Sequence, residues 1–422
     1  MHSILAIAEL TLRRAVRSRV FLLLALLVIG CIIGLPLVMK SDGTLAGQVQ
    51  LFLQYTLAVT GALLAIIAVW TAAGALALEV EERHIQMVIV KPVRTWQIWL
   101  GKWLGLMVIN LVMVALAATT IYGLLRWTTR PALLTPAEQT RLAEDILVAR
   151  RAAQPLWPEG AAPSRANALT VAPGQSISWR FELPPHIPAG AVSLQYRFLT
   201  SHPDYQESVT GQWCIRDGAG QELFQQTVSA RAQETHSCGI PVELAGDLEI
   251  SYLNTETSAP LTLLFDAPDS VQLQIRVSSF ASNYLRAWLM TLARLAFFSA
   301  LGLTAGAAFS TPVAVFVSMA LLIISAVSRW LQQVASFADA ESRLDWMVAL
   351  GEQTLRAAYL ALELILPPLQ RWDPHAFLAE GLFLSGALTA QAWLVLGGLY
   401  PALLALAGAW LLRRRELGLP TL

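Results

Sequence analysis

Residues 78–105 read LEVEERHIQMVIVKPVRTWQIWLGKWLG, with a long apolar run on either side. The stretch opens on Glu79, Glu81 and Glu82, passes through an apolar segment at 85–90, and then carries Lys91, Pro92 and Arg94. Trp96, Trp99, Lys102 and Trp103 stand where the next apolar run begins. The flanking runs, 51–78 and 99–125, exceed the roughly 20 apolar residues that cross a bilayer. A compact charged loop held at both ends by spanning helices can take a push from a soluble partner and pass it into the membrane.

The rest of the chain fits that setting. Of 422 residues, 55% are hydrophobic and only 14% are charged, against roughly 25% charged in a soluble domain. Mean hydropathy is +0.54. Formal net charge is zero, which gives no electrostatic case for a nucleic-acid partner. Residues 1–18 put Leu5, Ala8, Leu12 and Ala15 on one helical face and Glu9, Arg13 and Arg17 on another. This reads as an interfacial amphipathic helix, or as the lead into the first span. Spans are expected at 20–39, 51–78, 99–125, 284–309, 313–331 and 392–412. Arg13, Arg14, Arg17 and Arg19 precede the first span, and no small-residue cleavage site comes after it, so it reads as a retained helix. These arginines, Arg83, Lys91 and Arg94 in the loop, and Arg413, Arg414 and Arg415 after the last span all fall on one side if the helices alternate. The positive-inside rule makes that side cytoplasmic, with both termini on it.

The middle third differs. Thr135-Pro-Ala-Glu138 has the form of a capping box with proline at the first helical position, which predicts a helix to about Arg151. From Leu169 the period becomes two, in SISWRFEL, VSLQYRFL, VTGQWCIR, LFQQTVSA, LEISYLN, LTLLFDA and VQLQIRVSS. Turn signals such as Pro173-Gly174 and Asp217-Gly218 separate them. About seven short strands so spaced predict an extracytoplasmic β-sandwich, so residues 127–283 form an inserted domain between membrane portions 1–126 and 284–422. Beyond the fifth span, 357–366 is apolar but too short to cross, and Pro367-Pro368 and Asp373-Pro374 interrupt the chain after it. Segment 357–390 therefore reads as re-entrant or interfacial, with Glu363, Pro367 and Asp373 as a candidate outer gate.

Four stretches in order, AELTLRRAVRSRVFLLLALL, the loop with KPVR and LGKWLG, LPPLQRWDPHAFLAEG and LLRRREL, resemble the transmembrane subunit of ABC-2 type exporters. They are similar to the permeases that partner copper-maturation and gliding-type ATPases. The resemblance covers the two membrane portions and not the middle third. It implies an ABC ATPase subunit as partner, a homodimer or a pseudo-dimer with a related permease, and a coupling helix in the loop. Carried over, Glu81, Glu82, Arg83, Ile85, Met87, Val88, Pro92 and Arg94 would face the ATPase. Where related loops often carry Gly-Thr after the acidic pair, Ile85-Gln86 stands here.

A P-loop needs glycines that free the backbone to wrap phosphates, with Lys and Ser or Thr after them. No GxxxxGK[ST] occurs, so the chain is expected to have no cofactor of its own and to leave ATP to the partner subunit. Cys214 and Cys238 are a candidate disulfide, which would contribute about 3 kcal/mol for a loop of that size. His186, His202 and His236 match no metal-ligand spacing. Trp96, Trp99 and Trp103 read as interfacial anchors, and Trp179, Tyr196 and Trp213 as β-domain core. Arg294 is a charge within a span, near enough to one end to snorkel. Asn110 is a candidate interhelical hydrogen-bond partner. A competing reading is a membrane-anchored binding or sensory protein whose β-domain recognises a glycan or envelope partner. A third, an intramembrane enzyme, wants polar groups at depth that are scarce here.

Overall fold

The computed structural model describes residues 2–17, 19–38, 45–82, 93–130, 135, 147–156, 169–201, 208–256, 261–265, 270–325, 367, 369–379 and 381–414. The chain forms two compact units, 1–147 with 280–422, and 148–279.

The first unit is helical. Its elements are α1 (His2–Arg17), α2 (Arg19–Val38), α3 (Leu45–Glu81), α4 (Thr95–Thr128), α5 (Phe280–Ala308), α6 (Thr311–Ser325), α7 (Pro374–Ala379) and α8 (Gly386–Arg414). Five of these, α2, α3, α4, α5 and α8, are long and apolar enough to cross a membrane. The described part of α6 is shorter, and the expected span at 313–331 runs on beyond it. The region expected at 357–366, with Glu363, also lies outside the described residues.

The helix at the centre is α5. In its most apolar window 83% of residues are buried, against 11% for α2 and 22% for α8, so α2 and α8 present their apolar faces outward. Two glycines one turn apart, Gly302 and Gly306, bring α5 against α3. A Cβ on Gly302 would lie 2.7 Å from the Val69 carbonyl, and one on Gly306 2.5 Å from the Ala73 carbonyl. Only a residue without a side chain permits that approach, the small-xxx-small packing of membrane helices. Polar side chains tie the same bundle. Asn110 Nδ2 donates to Ser299 Oγ at 2.7 Å, joining α4 to α5 as its sequence position suggests. Tyr284 Oη donates to the Ala118 carbonyl at 2.7 Å. Within α8, residues Trp393–Leu399 form a π-helical segment.

The described residues of the second unit form eleven strands: β1 (Val148–Ala153), β2 (Leu169–Val171), β3 (Ser176–Glu182), β4 (Val192–Tyr196), β5 (Leu199–Thr200), β6 (Ser208–Asp217), β7 (Glu222–Arg231), β8 (His236–Ile240), β9 (Asp247–Asn254), β10 (Leu263–Phe265) and β11 (Val271–Ser279). They pair into sheets of order β1-β11-β4-β8, β3-β9-β6-β7 and β2-β10-β5. Every pairing is antiparallel. Alternation sets the buried face: Leu248, Ile250 and Tyr252 on β9 point in, as do Val192, Leu194 and Tyr196 on β4. Rings from both four-stranded sheets meet where Tyr196 packs on Trp213 at 5.0 Å, and Trp213 in turn packs on its cross-strand neighbour Tyr252 at 4.8 Å.

The helix expected from Thr135 to Arg151 is corrected at its end. Residues 148–151 belong to β1, which pairs with β11, while 136–146 lie outside the described residues. Pairing with the last strand overrides the local helix signal. That pairing sets Val148 opposite Ser279, so the chain enters and leaves the unit on neighbouring strands.

Candidate functional site: the charged helix ends

The loop segment 83–92, with Arg83, Ile85, Met87, Val88 and Pro92, lies outside the described residues. Its two anchors do not. The chain stays helical through Glu81, three residues beyond the expected end of the span, so Glu79 and Glu81 are the last turn of α3. At the other end Arg94 is extended (φ −75°, ψ 146°), and its backbone N–H donates to Gln97 Oε1 at 3.1 Å, starting α4.

Glu79 and Glu82 share Arg14, and Glu81 has partners elsewhere. Glu79 Oε2 meets Lys102 Nζ of α4 at 2.6 Å, and its Oε1 meets Arg14 Nη1 of α1 at 3.2 Å. The Lys102 ammonium is 4% exposed and also donates to the Ala75 carbonyl at 3.0 Å. A cation so deep stays only with an anion and further acceptors around it. Glu82 Oε2 lies 3.4 Å from Arg14 Nη2. Glu81 turns the other way. Its Oε1 accepts from the Thr311 backbone N–H at 2.7 Å and its Oε2 from Thr311 Oγ1 at 2.9 Å. A carboxylate there satisfies an otherwise orphaned N–H at the start of α6 and suits the positive end of its dipole. The last helix joins at the same end, where Arg413 Nε donates to Thr95 Oγ1 at 3.3 Å.

The LGKWLG segment has a second task. A Cβ on Gly101 would lie 2.9 Å from the Ile4 carbonyl, and one on Gly105 2.8 Å from the Ala8 carbonyl. These glycines seat α1 flat across α4. Of the three tryptophans expected as surface anchors, only Trp96 is exposed. Trp99 is 1% exposed and stacks on Trp103 at 6.3 Å. Trp103 Nε1 donates to the Ala296 carbonyl of α5 at 3.0 Å. Helix packing, not the water interface, holds Trp99 and Trp103, which corrects the anchor expectation for these two.

The candidate gate residues are placed differently. Asp373 Oδ1 pairs with Arg294 Nη1 at 3.3 Å and accepts from the His375 backbone N–H at 3.3 Å, capping α7. Arg294 lies midway along α5 and so is tied by this carboxylate. Pro367 is buried. Nearby, Asn283 is fully buried and brackets the non-helical chain, donating to the Leu382 carbonyl and accepting from the Leu384 N–H, both at 2.8 Å. Irregular backbone packed among membrane helices needs such partners.

The proposed disulfide is corrected. Cys214 and Cys238 are both free thiols. Cys238 on β8 faces the core, and its Sγ donates to Gln226 Oε1 at 2.8 Å. Cys214 comes directly after the inward Trp213 on β6, so strand alternation turns it to the opposite face. Burial pushes both thiols above their ordinary range, which leaves less of the reactive thiolate. Burial likewise raises the Tyr196 phenol to about 12. Among the described residues of this unit no Trp or Tyr is exposed.

An amphipathic helix, three long apolar helices and charged helix ends thus occur in one continuous stretch. Residues 5–142 match the model described as ABC-2 family transporter protein. This segment belongs to the ABC-2 transporter family. The ABC-2 segment covers α1 to α4 and therefore the whole of the Glu79–Lys102–Arg14 cluster. With the five long apolar helices it supports a polytopic membrane protein. No curated protein matches the chain. Among solved structures, TmCBM61 in complex with β-1,4-galactotriose is similar at 11% identity, covering 32% of this chain and 89% of that one, with a TM-score of 0.14. A likeness at that score carries no argument about fold or ligand.

Sequence reasoning found Glu79–Glu82 but not Arg14, Lys102 or Thr311 as their partners, nor the bond from Arg413 to Thr95. Lys102 gave the one available signal, a cation one turn inside an apolar run.

Proposed function

We propose that the chain is the permease subunit of an ABC exporter, moving its substrate across the cytoplasmic membrane with ATP hydrolysed by a separate ATPase subunit. It has six membrane helices, both ends in the cytoplasm, and the strand-rich unit outside as a β-sandwich. A second copy, or a related permease, completes the path. The ATPase grips segment 83–92, the coupling helix. Its push reaches α3 through Glu79 and Glu82 and α4 through Arg94. Because Glu81 caps α6, the same push reaches a third helix directly. The tie between Arg294 and Asp373 is the contact that releases as the gate beside α5 opens. The permease itself makes and breaks no covalent bond. It shifts the populations of two conformations, with the energy supplied elsewhere.

The observation that carries this reading is the convergence of α1, α3, α4, α6 and α8 on the two ends of one short segment, within and beside an ABC-2 match. The rival reading is a membrane-anchored binding or sensory protein whose β-domain recognises a glycan or envelope partner, and its glycan form wants an exposed aromatic platform. The tryptophans and tyrosines described in the β-unit are buried instead.

The test is topological. His84→Cys is made in a chain whose three natural cysteines are serine, and intact cells are treated with a membrane-impermeant maleimide. Labelling is expected only after permeabilisation. Labelling in intact cells puts the segment on the far side and rejects the coupling role.

A further inference from the structure

Near the charged cluster, α1, α2, α3 and α4 line a half-open cavity of about 210 Å³. Its walls are apolar: Phe21 and Leu24 from α2, Ile67 from α3, Ile109 from α4. One end is polar, where Arg14, Glu79 and Lys102 line it while bonded to one another. Ile67 and Glu79 are twelve residues apart on α3, about 18 Å at 1.5 Å per residue. The cavity is therefore long and thin. It is also smaller than the ~300–1,000 Å³ of pockets that enclose a compact organic ligand.

Part of this room exists because residue 74 is glycine. Gly74 lines the cavity, and a Cβ there would meet nothing within 4 Å. No close helix approach requires it, unlike Gly302 or Gly306. A mid-helix glycine costs about 1 kcal/mol against alanine, and what it leaves here is open space. The mouth is basic. Residues 13–19 carry four arginines and no carboxylate, and Arg14, half exposed, reaches Glu79 and Glu82 only at 3.2 and 3.4 Å. Beside it, α2 turns Leu22, Leu23 and Leu26 outward.

We infer that this slot holds one acyl chain of an anionic phospholipid from the surrounding leaflet, with the headgroup phosphate on Arg14. A thin apolar channel excludes a bulky solute and accepts a single chain. A phosphate offers Arg14 a bidentate partner that its two long ion pairs do not. The lipid then touches the same arginine that binds α3, so its presence stiffens the joint between α1 and α3. The inference needs only that α2, α3 and α4 lie in a bilayer and stands apart from the coupling role.

The test uses the full chain in detergent, titrated with phosphatidylglycerol or phosphatidylcholine and read by native mass spectrometry. Wild type is expected to retain one phosphatidylglycerol at least tenfold better than phosphatidylcholine. Gly74→Leu, which fills the slot without a collision, is expected to lower that retention at least tenfold. Gly34→Leu, in open space on α2 and away from the slot, is expected to leave it unchanged. Equal retention of the two lipids, or undiminished retention by Gly74→Leu, overturns the inference. Should the variant misfold, phosphatidylglycerol with a photoreactive acyl chain serves on wild type in nanodiscs. Adducts at Leu24, Ile67 or Ile109 support the slot, and adducts confined to outward positions such as Leu22, Leu23 and Leu26 reject it.

Discussion

Lys102 shows how one residue can set the character of a site. Its ammonium is held inside the helix bundle by the Glu79 carboxylate and a backbone carbonyl. Breaking a buried pair from one side is far worse than removing both partners, because the survivor keeps its desolvation penalty. Glu79→Leu is therefore expected to destabilise the membrane unit by about 3–5 kcal/mol, seen as a lower thermal midpoint of the purified chain. Adding Lys102→Met should recover most of that loss. If the double variant is no better than the single, the pair is not the buried unit described. The residue scale also explains the free thiols. Cys214 and Cys238 face opposite sides of their sheets, so no rotamer joins them.

At the scale of elements, the joint between α1 and α4 depends on two missing side chains. Gly101 and Gly105 let the amphipathic helix touch the α4 backbone, and Arg14 then reaches Glu79. Gly105→Leu would push a side chain into the space held by the Ala8 carbonyl and Thr11. Faster amide exchange is expected throughout α1, with a smaller change for Gly105→Ala. Gly123→Leu, on the same helix but in open space, should leave α1 as it is. Equal exchange in Gly105→Leu and Gly123→Leu would mean that α1 is held by something other than this contact. The LGKWLG pattern could be read from sequence as the entrance to a span. Its use as a seat for α1 could not, since nothing local says which helix will lie on a small-residue stripe.

For the whole molecule, the two units carry separate hydrophobic cores, one centred on α3 and α5 and one between the sheets. Perturbations in separate cores should not couple, and the chain need not unfold as one. Ile250→Ala, at a position with no exposed surface, is expected to cost about 2–5 kcal/mol. Calorimetry of the purified chain should show one transition lowered and the other in place. A single transition that moves as a whole would show that the units fold cooperatively.

What the sequence determined is what period and length can encode. Runs of about twenty apolar residues need no partner to be recognised, because the bilayer itself is the solvent they match. Two-residue alternation located β3, β4, β6, β7, β9, β10 and β11, because it reports which side of each strand is buried. The tertiary structure decided which side chains meet. Arg14 finds Glu79, Glu81 finds Thr311, Asn110 finds Ser299 and Arg294 finds Asp373 across gaps of 65, 230, 189 and 79 residues. It also made residues 148–151 a strand against a helical signal, through a partner more than a hundred residues later. Such pairings depend on how helices cross and strands register, and those are set by packing over the whole unit rather than by neighbours in the chain.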